Sequence, residues 1–312
     1  MNDLLAKLSA AHFGAFTTRD AYDCGYHRQS LSQLVRSSRA LRVGPSAYVD
    51  RDRYEAASPE RRHEMTTRAV VRTFDGRVYA SPYSALTLMS LPVFGAPLDH
   101  IHVARAVDSL SRRRPGLSIH TTYGPGAGRL IGRTPCVTPA LAILGAAMTC
   151  GIETGVVAAD AALAAGKTTE DDLQTWLGKL SRHRDVTQAR QAVRLADARS
   201  ESVGESRTRL LLNAIGFRPT PQVEIRDPQG RLVGRVDFLL ERKRIIVEFD
   251  GLMKYADAGG RDSLAAEKSR EDRLRALGYE FVRLTWADLY RPATVERLLR
   301  LAVVRASARR AS

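Results

Sequence analysis

The acidic residues of VDFLLERKRIIVEFD, positions 236–250, are spaced so that one turn of the chain gathers them. If Glu241 to Arg244 form a four-residue loop, Leu240 faces Ile245 and Phe238 faces Val247. The same register sets Asp237 opposite Glu248. Side chains alternate along a strand, so Asp250 shares the face of Glu248. Like charges directly opposite across a sheet cost some tenths of a kcal/mol, up to about 1, so the pattern calls for a compensating positive charge. A hard cation, Mg²⁺ or Mn²⁺, held by one or two carboxylates with waters and a phosphate oxygen, supplies one. The expected metal residues are therefore Asp237, Glu248 and Asp250. Glu205, near the start of the preceding helix, and Lys254, just beyond Asp250, complete the candidate catalytic set, Lys254 as a positive charge or to orient a water. The chemistry is phosphodiester hydrolysis, in which the metal polarises the phosphate and lowers the pKa of a bound water. Plainer roles compete. Asp250-Gly251 is also a turn signal, Arg235 faces Asp250 in the same register, and Glu205 follows Ser202 at capping-box spacing.

These residues sit in a chain segment of marked order. SVGESRTRLLLNAIG reads as a helix capped by Ser202 and stopped by Gly216. QVEIRD, LVGRVDFLL and IIVEFDG read as three strands, separated by a turn at DPQG and by ERKR. A helix from about Asp262 to Leu277 ends at Gly278. YEFVRLTW is a fourth strand, and TVERLLRLAVV a last helix with Val295, Leu298, Leu299 and Ala302 as its apolar face. The order is α-β-β-β-α-β-α. In the charged helix, Lys268 and Arg270 beside Glu267 and Arg273 are candidate DNA contacts, with a solvated face as the alternative. The basic tail over 306–312 is expected to be disordered.

The first fifty residues suggest a small helical unit closed by a hairpin. Leu4, Leu5 and Leu8 mark a first helix, and Thr17 or Thr18 caps a second that ends near Gly25. A third, from His27 to about Ser37, buries Leu31, Leu34 and Val35. ALRVGPSAYV then turns at Gly44-Pro45. Three helices and a hairpin make a winged helix-turn-helix. Its third helix exposes Arg28, Gln29, Ser32, Gln33 and Arg36, donors suited to base edges and phosphates in the major groove. An ordinary solvated helix face is the alternative.

Residues 51–200 read as a helical middle region. VYASPYSALTLMSLPVFG and DHIHVARAV suggest a helix and then a strand, followed by a helix-rich stretch with Ala-rich segments from Thr138 to Ala165 and from Glu170 to Asp197. Arg112, Arg113 and Arg114 are a possible phosphate contact or a solvated loop. His100, His102 and His120 show no metal-ligand spacing. GPGAG at Gly124 to Gly128 lacks the Lys-Ser/Thr of a phosphate loop and reads as a flexible loop.

Composition agrees with a polyanionic partner. Lys and Arg number 48 against 34 Asp and Glu, for a net charge of +14, and each phosphate neutralised releases condensed counterions. An Arg-rich but inert surface is the alternative. The 3 cysteines, Cys24, Cys136 and Cys150, have neither zinc-site nor disulfide-framework spacing. The apolar stretch from Val137 to Ala165 is interrupted by Pro139, Glu153 and Asp160. No signal-peptide pattern opens the sequence. A cytoplasmic protein without a membrane partner is expected.

GRVDFLL, IIVEFDGLMKY and EKSREDRLRALGYEFVRLTW together resemble the DUF559 family, relatives of the very-short-patch-repair endonucleases in the PD-(D/E)XK superfamily. The resemblance covers roughly residues 200–305. It implies an αβββαβ restriction-endonuclease-like core with the metal on Asp237, Glu248 and Asp250. Asp250 stands where the superfamily signature has a Lys, with Lys254 as the candidate substitute. The N-terminal half, in RVGPSAYV and SALTLMSLP, resembles AbiEi-like proteins, antitoxin-type regulators of type IV toxin–antitoxin systems. There Met89-Ser90 replaces the expected His-Gly. This resemblance implies a winged helix-turn-helix on promoter or operator DNA, and a cognate toxin protein as a partner.

The expected fold class is α+β: a winged helix-turn-helix over 1–50, a helical AbiEi-like middle region over 51–200, and a nuclease-like domain over 201–305. Two functions remain open. One is a DNA-binding, Mg²⁺-dependent endonuclease. The other is a transcriptional regulator or antitoxin whose nuclease-like domain is inactive.

Overall fold

The computed structural model describes the chain except residues 109, 184, 242–243, 252–259 and 312, and the side chains of residues 260–264 and 310–311. The chain is a mixed α and β protein in two units, Met1–Ala196 and Asp197–Ser312.

The first unit begins with α1 (Asp3–Ala11), β1 (Ala15–Thr17), α2 (Thr18–Asp23), α3 (Arg28–Arg36), β2 (Ala40–Gly44) and β3 (Ala47–Asp50). Side chains cap each helix: Asn2 accepts from the Leu5 N–H at 3.0 Å, Thr17 and Asp20 form a capping box, and His27 with Ser30 forms another. Such caps satisfy N–H groups the helix itself cannot. The strands pair in the order β1-β3-β2. Leu5, Phe16, Leu31, Leu34 and Tyr48 fill the space between sheet and helices.

The unit continues with α4 (Arg51–Glu55), α5 (Pro59–Arg72), β4 (Val78–Ala80), α6 (Tyr83–Leu88), β5 (Ile101–Arg105), β6 (Arg112–Arg114), β7 (Leu117–His120), β8 (Gly128–Ile131) and β9 (Thr134–Val137). These strands form a 6-stranded sheet, β6-β7-β5-β4-β9-β8. The expectation of a helical middle region is corrected here. The strands are too short for a period-2 pattern to register, and the edge strand β6 is simply Arg112-Arg113-Arg114. The Ala-rich helical stretches stand where they are expected, as α7 (Pro139–Cys150), α8 (Ile152–Ala164), α9 (Glu170–Lys179) and α10 (Val186–Leu195). Helix α5 ties the first fifty residues to this sheet. Its buried Arg68 pairs with Glu64 at 2.8 Å, donates to Thr134 Oγ1 at 2.8 Å and lies 4.0 Å from the centre of the Phe13 ring. One turn on, Arg72 pairs with Asp20.

The second unit comprises α11 (Val203–Ala214), β10 (Thr220–Arg226), β11 (Leu232–Leu240), β12 (Ile245–Phe249), α12 (Gly260–Ala276), β13 (Glu280–Leu284), a 3-10 turn (Asp288–Tyr290) and α13 (Pro292–Ala311). Its sheet runs β10-β11-β12-β13. The first three strands are antiparallel, and β13 lies parallel to β12. Both faces are covered. Leu212, Phe238, Val247, Leu284 and Leu299 pack on one side, and Leu239, Ile246, Leu274 and Phe281 on the other. Helix α13 continues over the expected tail to Ala311, and buried Glu280 pairs with Arg305 at 3.3 Å and Arg309 at 3.2 Å.

Gly204 sets how closely α11 approaches β12. A Cβ at that position would sit 1.9 Å from Cε1 of Phe249, and Phe249 packs edge-on against Trp286. Gly204→Ala is therefore expected to overpack the unit and cost about 1–3 kcal/mol. Urea denaturation followed by circular dichroism checks it. Phe249→Leu in the same chain should restore part of the loss, and an unchanged midpoint in the single variant would contradict the packing.

Candidate functional site

The face of α3 is the first place to look for recognition. Leu31 and Leu34 anchor the helix in the core, which turns Arg28, Gln29, Ser32, Gln33 and Arg36 outward, all exposed. Ser32 Oγ donates back to the Arg28 carbonyl at 2.8 Å, a local bond. The side chains of Arg28, Gln29, Gln33 and Arg36 make no hydrogen bond or ion pair among the described residues. Two guanidinium and two amide groups are thus available to a ligand at no cost in internal bonds.

The carboxylate patch lies between β11 and β12. Phe238 pairs with Val247 and Leu240 with Ile245. At the next position the side chain takes over, as Asp237 Oδ2 accepts the Phe249 N–H at 2.8 Å. Glu248 points to the α12 side of the sheet and is buried. Its Oε1 accepts from Arg270 at 2.8 Å, and its Oε2 lies 3.4 Å from Arg283. Arg270 comes from α12 and also donates to the Arg235 carbonyl at 3.1 Å. Gly234 makes room for it, since a Cβ there would meet Arg270 Cδ at 3.0 Å. Arg283, on β13, is held in turn by Glu267 at 2.7 Å and Glu271 at 2.9 Å. Burial works to lower the pKa of Arg283, but its hydrogen bonds to Glu267 and Glu271 and the charge of Glu248 outweigh that and raise it. Burial likewise works to raise the pKa of Glu271, while bonds from Arg275 and Arg283 win and lower it.

The positive charge that Glu248 requires therefore comes from two arginines. Both Glu248 oxygens face guanidinium groups, and one Asp237 oxygen is used by the backbone. No group of three or more His, Cys, Asp or Glu among the described residues could hold a metal ion. In this arrangement Glu248 is closed by its two arginines.

The remaining candidates are placed as follows. Asp250 lies just past β12, where its N–H donates to the Leu284 carbonyl at 2.8 Å. Its carboxylate is half-buried and has no partner among the described residues. Arg235 turns to Glu201 at 2.8 Å instead of to Asp250. Glu205 takes the capping role: its Oε1 accepts from Ser202 Oγ at 2.9 Å, and its Oε2 from the Glu201 N–H at 2.9 Å and Gln222 Nε2 at 2.8 Å. Both of its oxygens are used by these bonds. Lys254 lies outside the described residues. Lys268 is exposed, whereas Arg270, expected on a DNA-facing surface, turns inward to Glu248.

The histidines noted in the sequence form a cluster in the first unit, joined by His63, which the sequence did not single out. Strands β5 and β7 are parallel, with His102 beside Ser118 and Ala104 beside His120. That register puts His102 and His120 on one face, two residues apart. Their rings meet through Nδ1 and Nε2 at 2.8 Å. His100 Nε2 lies 2.9 Å from Ser118 Oγ. His63 Nδ1 donates to the Leu98 carbonyl at 2.8 Å, which leaves Nε2 to accept from Ser84 Oγ, also at 2.8 Å. Burial disfavours the charged form of His63, His102 and His120. It lowers the pKa of His63. It lowers that of His102 to about 3, helped by His120 and His100, and that of His120, helped by His183 and His100.

Fold and site together define an α+β protein with an unpartnered polar helix face in one unit and an arginine-closed carboxylate patch in the other. The chain matches no protein-family model. It is 25% identical over 202 residues to each of two Mycobacterium tuberculosis proteins, uncharacterized protein Rv2248 of strain ATCC 25618 / H37Rv and uncharacterized protein MT2308 of strain CDC 1551 / Oshkosh. The alignment covers 64% of this chain and 73% of each relative. No helix among the described residues is long and apolar enough to cross a membrane.

Proposed function

We propose that this chain is a duplex-DNA-binding regulator. In this reading α1 to α3 with the β2–β3 hairpin form a winged helix-turn-helix, and α3 enters the major groove. The second unit is a restriction-endonuclease-like domain in which Arg270 and Arg283 stand where a metal would, so it supports binding and does not cut. The observation that carries the reading is the face of α3, where Arg28, Gln29, Gln33 and Arg36 are exposed and without partners. The net charge of +14 supports a polyanionic ligand. A cognate toxin protein is the further partner that the AbiEi resemblance suggests.

Arg28→Ala is expected to weaken binding to a selected duplex site by about 1–3 kcal/mol and to relax preference at one base position. Selection from a randomised duplex pool, repeated with the variant, checks it. An identical selected site at identical affinity would rule out base reading by Arg28.

A metal-dependent endonuclease is the second reading, favoured by the neighbouring Asp237 and Glu248 and by the unpartnered carboxylate of Asp250. It requires Mg²⁺- or Mn²⁺-dependent cleavage of duplex DNA that Asp237→Asn abolishes. Duplex left intact in both metals supports the regulator.

A further inference from the structure

The first unit holds a cleft of about 460 Å³ between the β7 end and the α9–α10 connection, within the roughly 300–1,000 Å³ of small-molecule sites. His120, Thr121, Thr122, Lys179, Arg182 and His183 line it, and among the described residues that line it none is acidic. Lys179 is held in place by the Trp176 ring, its Nζ 4.0 Å from the ring centre. Arg182 is exposed and has no counter-charge among the described residues. His120 enters from the sheet with Nε2 engaged by His102, which leaves its second ring nitrogen for a ligand.

The sheet extends this basic character. Ser111, also on the cleft wall, leads directly into the arginine strand β6. Arg113 pairs with Ser118 across β6–β7, and Ser118 pairs with His102 across β7–β5. The three side chains thus run side by side on the face that carries the histidines. A cleft with this many N–H and O–H donors and no acid selects a compact anion with several acceptor oxygens.

We infer that this cleft binds a phosphoryl group, carried by a ligand of mononucleotide size, with Lys179 and Arg182 neutralising its charge and His120 donating from below. The site shares no residue with α3. The phosphoryl group belongs either to a free nucleotide or to the 5′ end of a nucleic-acid strand.

Isothermal titration calorimetry of the full chain distinguishes these. The probes are adenosine 5′-monophosphate, adenosine, and a DNA tetranucleotide with and without a 5′-phosphate. Adenosine 5′-monophosphate is expected to bind and adenosine not to. The exposed pair Lys179→Gln and Arg182→Gln should together weaken binding by about tenfold or more, while Lys7→Gln on α1 leaves it unchanged. A free nucleotide is the ligand if adenosine 5′-monophosphate binds at least as tightly as the phosphorylated tetranucleotide. A strand end is the ligand if that tetranucleotide binds more tightly and its 5′-hydroxyl form fails. The inference is overturned if neither phosphorylated probe binds, if adenosine binds as well as its monophosphate, or if the double variant binds as the wild type does.

Discussion

Glu248→Gln is expected to destabilise the second unit by roughly 2–3 kcal/mol. Removing one partner of a fully buried ion pair costs about 3–5 kcal/mol, because the other charge stays buried and unpaired. Glu248 is nearly buried at 9% side-chain exposure, but Arg270 and Arg283 keep 23% and 32%, so solvent screens part of that cost. Arg270→Gln should act in the same direction. Replacing Glu248 and Arg270 together by Met should cost less than the two single losses added, because neither charge is then stranded. Urea denaturation in EDTA measures all three. A cation site makes the opposite forecast: with Asp237 beside it, losing the Glu248 charge would be neutral or stabilising, and Mg²⁺ would raise the wild-type Tm by mass action. A more stable Glu248→Gln variant would overturn the arginine-closed patch.

Acid should loosen the first unit well before its carboxylates titrate. The fold keeps His102 neutral, with a pKa near 3 against an ordinary 6.5. His63 and His120 are also lowered by burial. Below pH 6.5 the unfolded chain takes up protons that the folded chain refuses, so unfolding becomes easier as pH falls. The contribution is complete above that pH and is lost progressively towards pH 3. At pH 5, His102 alone accounts for a loss of about 2 kcal/mol. Thermal unfolding of the full chain from pH 7.5 to pH 5 should show a falling transition, with a shallower slope in His102→Gln. A Tm constant across that range would contradict the buried neutral cluster.

How much of this was legible in the sequence varies from element to element. The pairing of Phe238 with Val247 could be read because a short loop leaves apolar residues only one way to face each other. The helix over Val203–Ala214 announced itself through Ser202 and Gly216. Like charges at Asp237 and Glu248 correctly signalled a need for compensation. They could not identify its source, because Arg270 arrives from a helix that crosses the sheet, over a Gly234 whose role appears only in three dimensions. Glu205 carried two meanings at one spacing, and the cap prevailed because Ser202, Glu201 and Gln222 together use both of its oxygens. The six-stranded sheet was hidden by strands too short to show a period. His102 and His120 meet only through a parallel pairing of β5 and β7, which is a tertiary fact.

Fluorescence anisotropy of the full chain on duplex DNA, with EDTA present, tests DNA binding through α3 most directly. The wild type should bind without metal, and its affinity should fall steeply with added salt as phosphate contacts are screened. The Arg28→Ala, Arg36→Ala double variant should bind at least about tenfold more weakly, with a smaller salt slope. Equal affinity and equal salt slope in wild type and double variant would contradict the account, as would a wild type that binds no duplex at low salt.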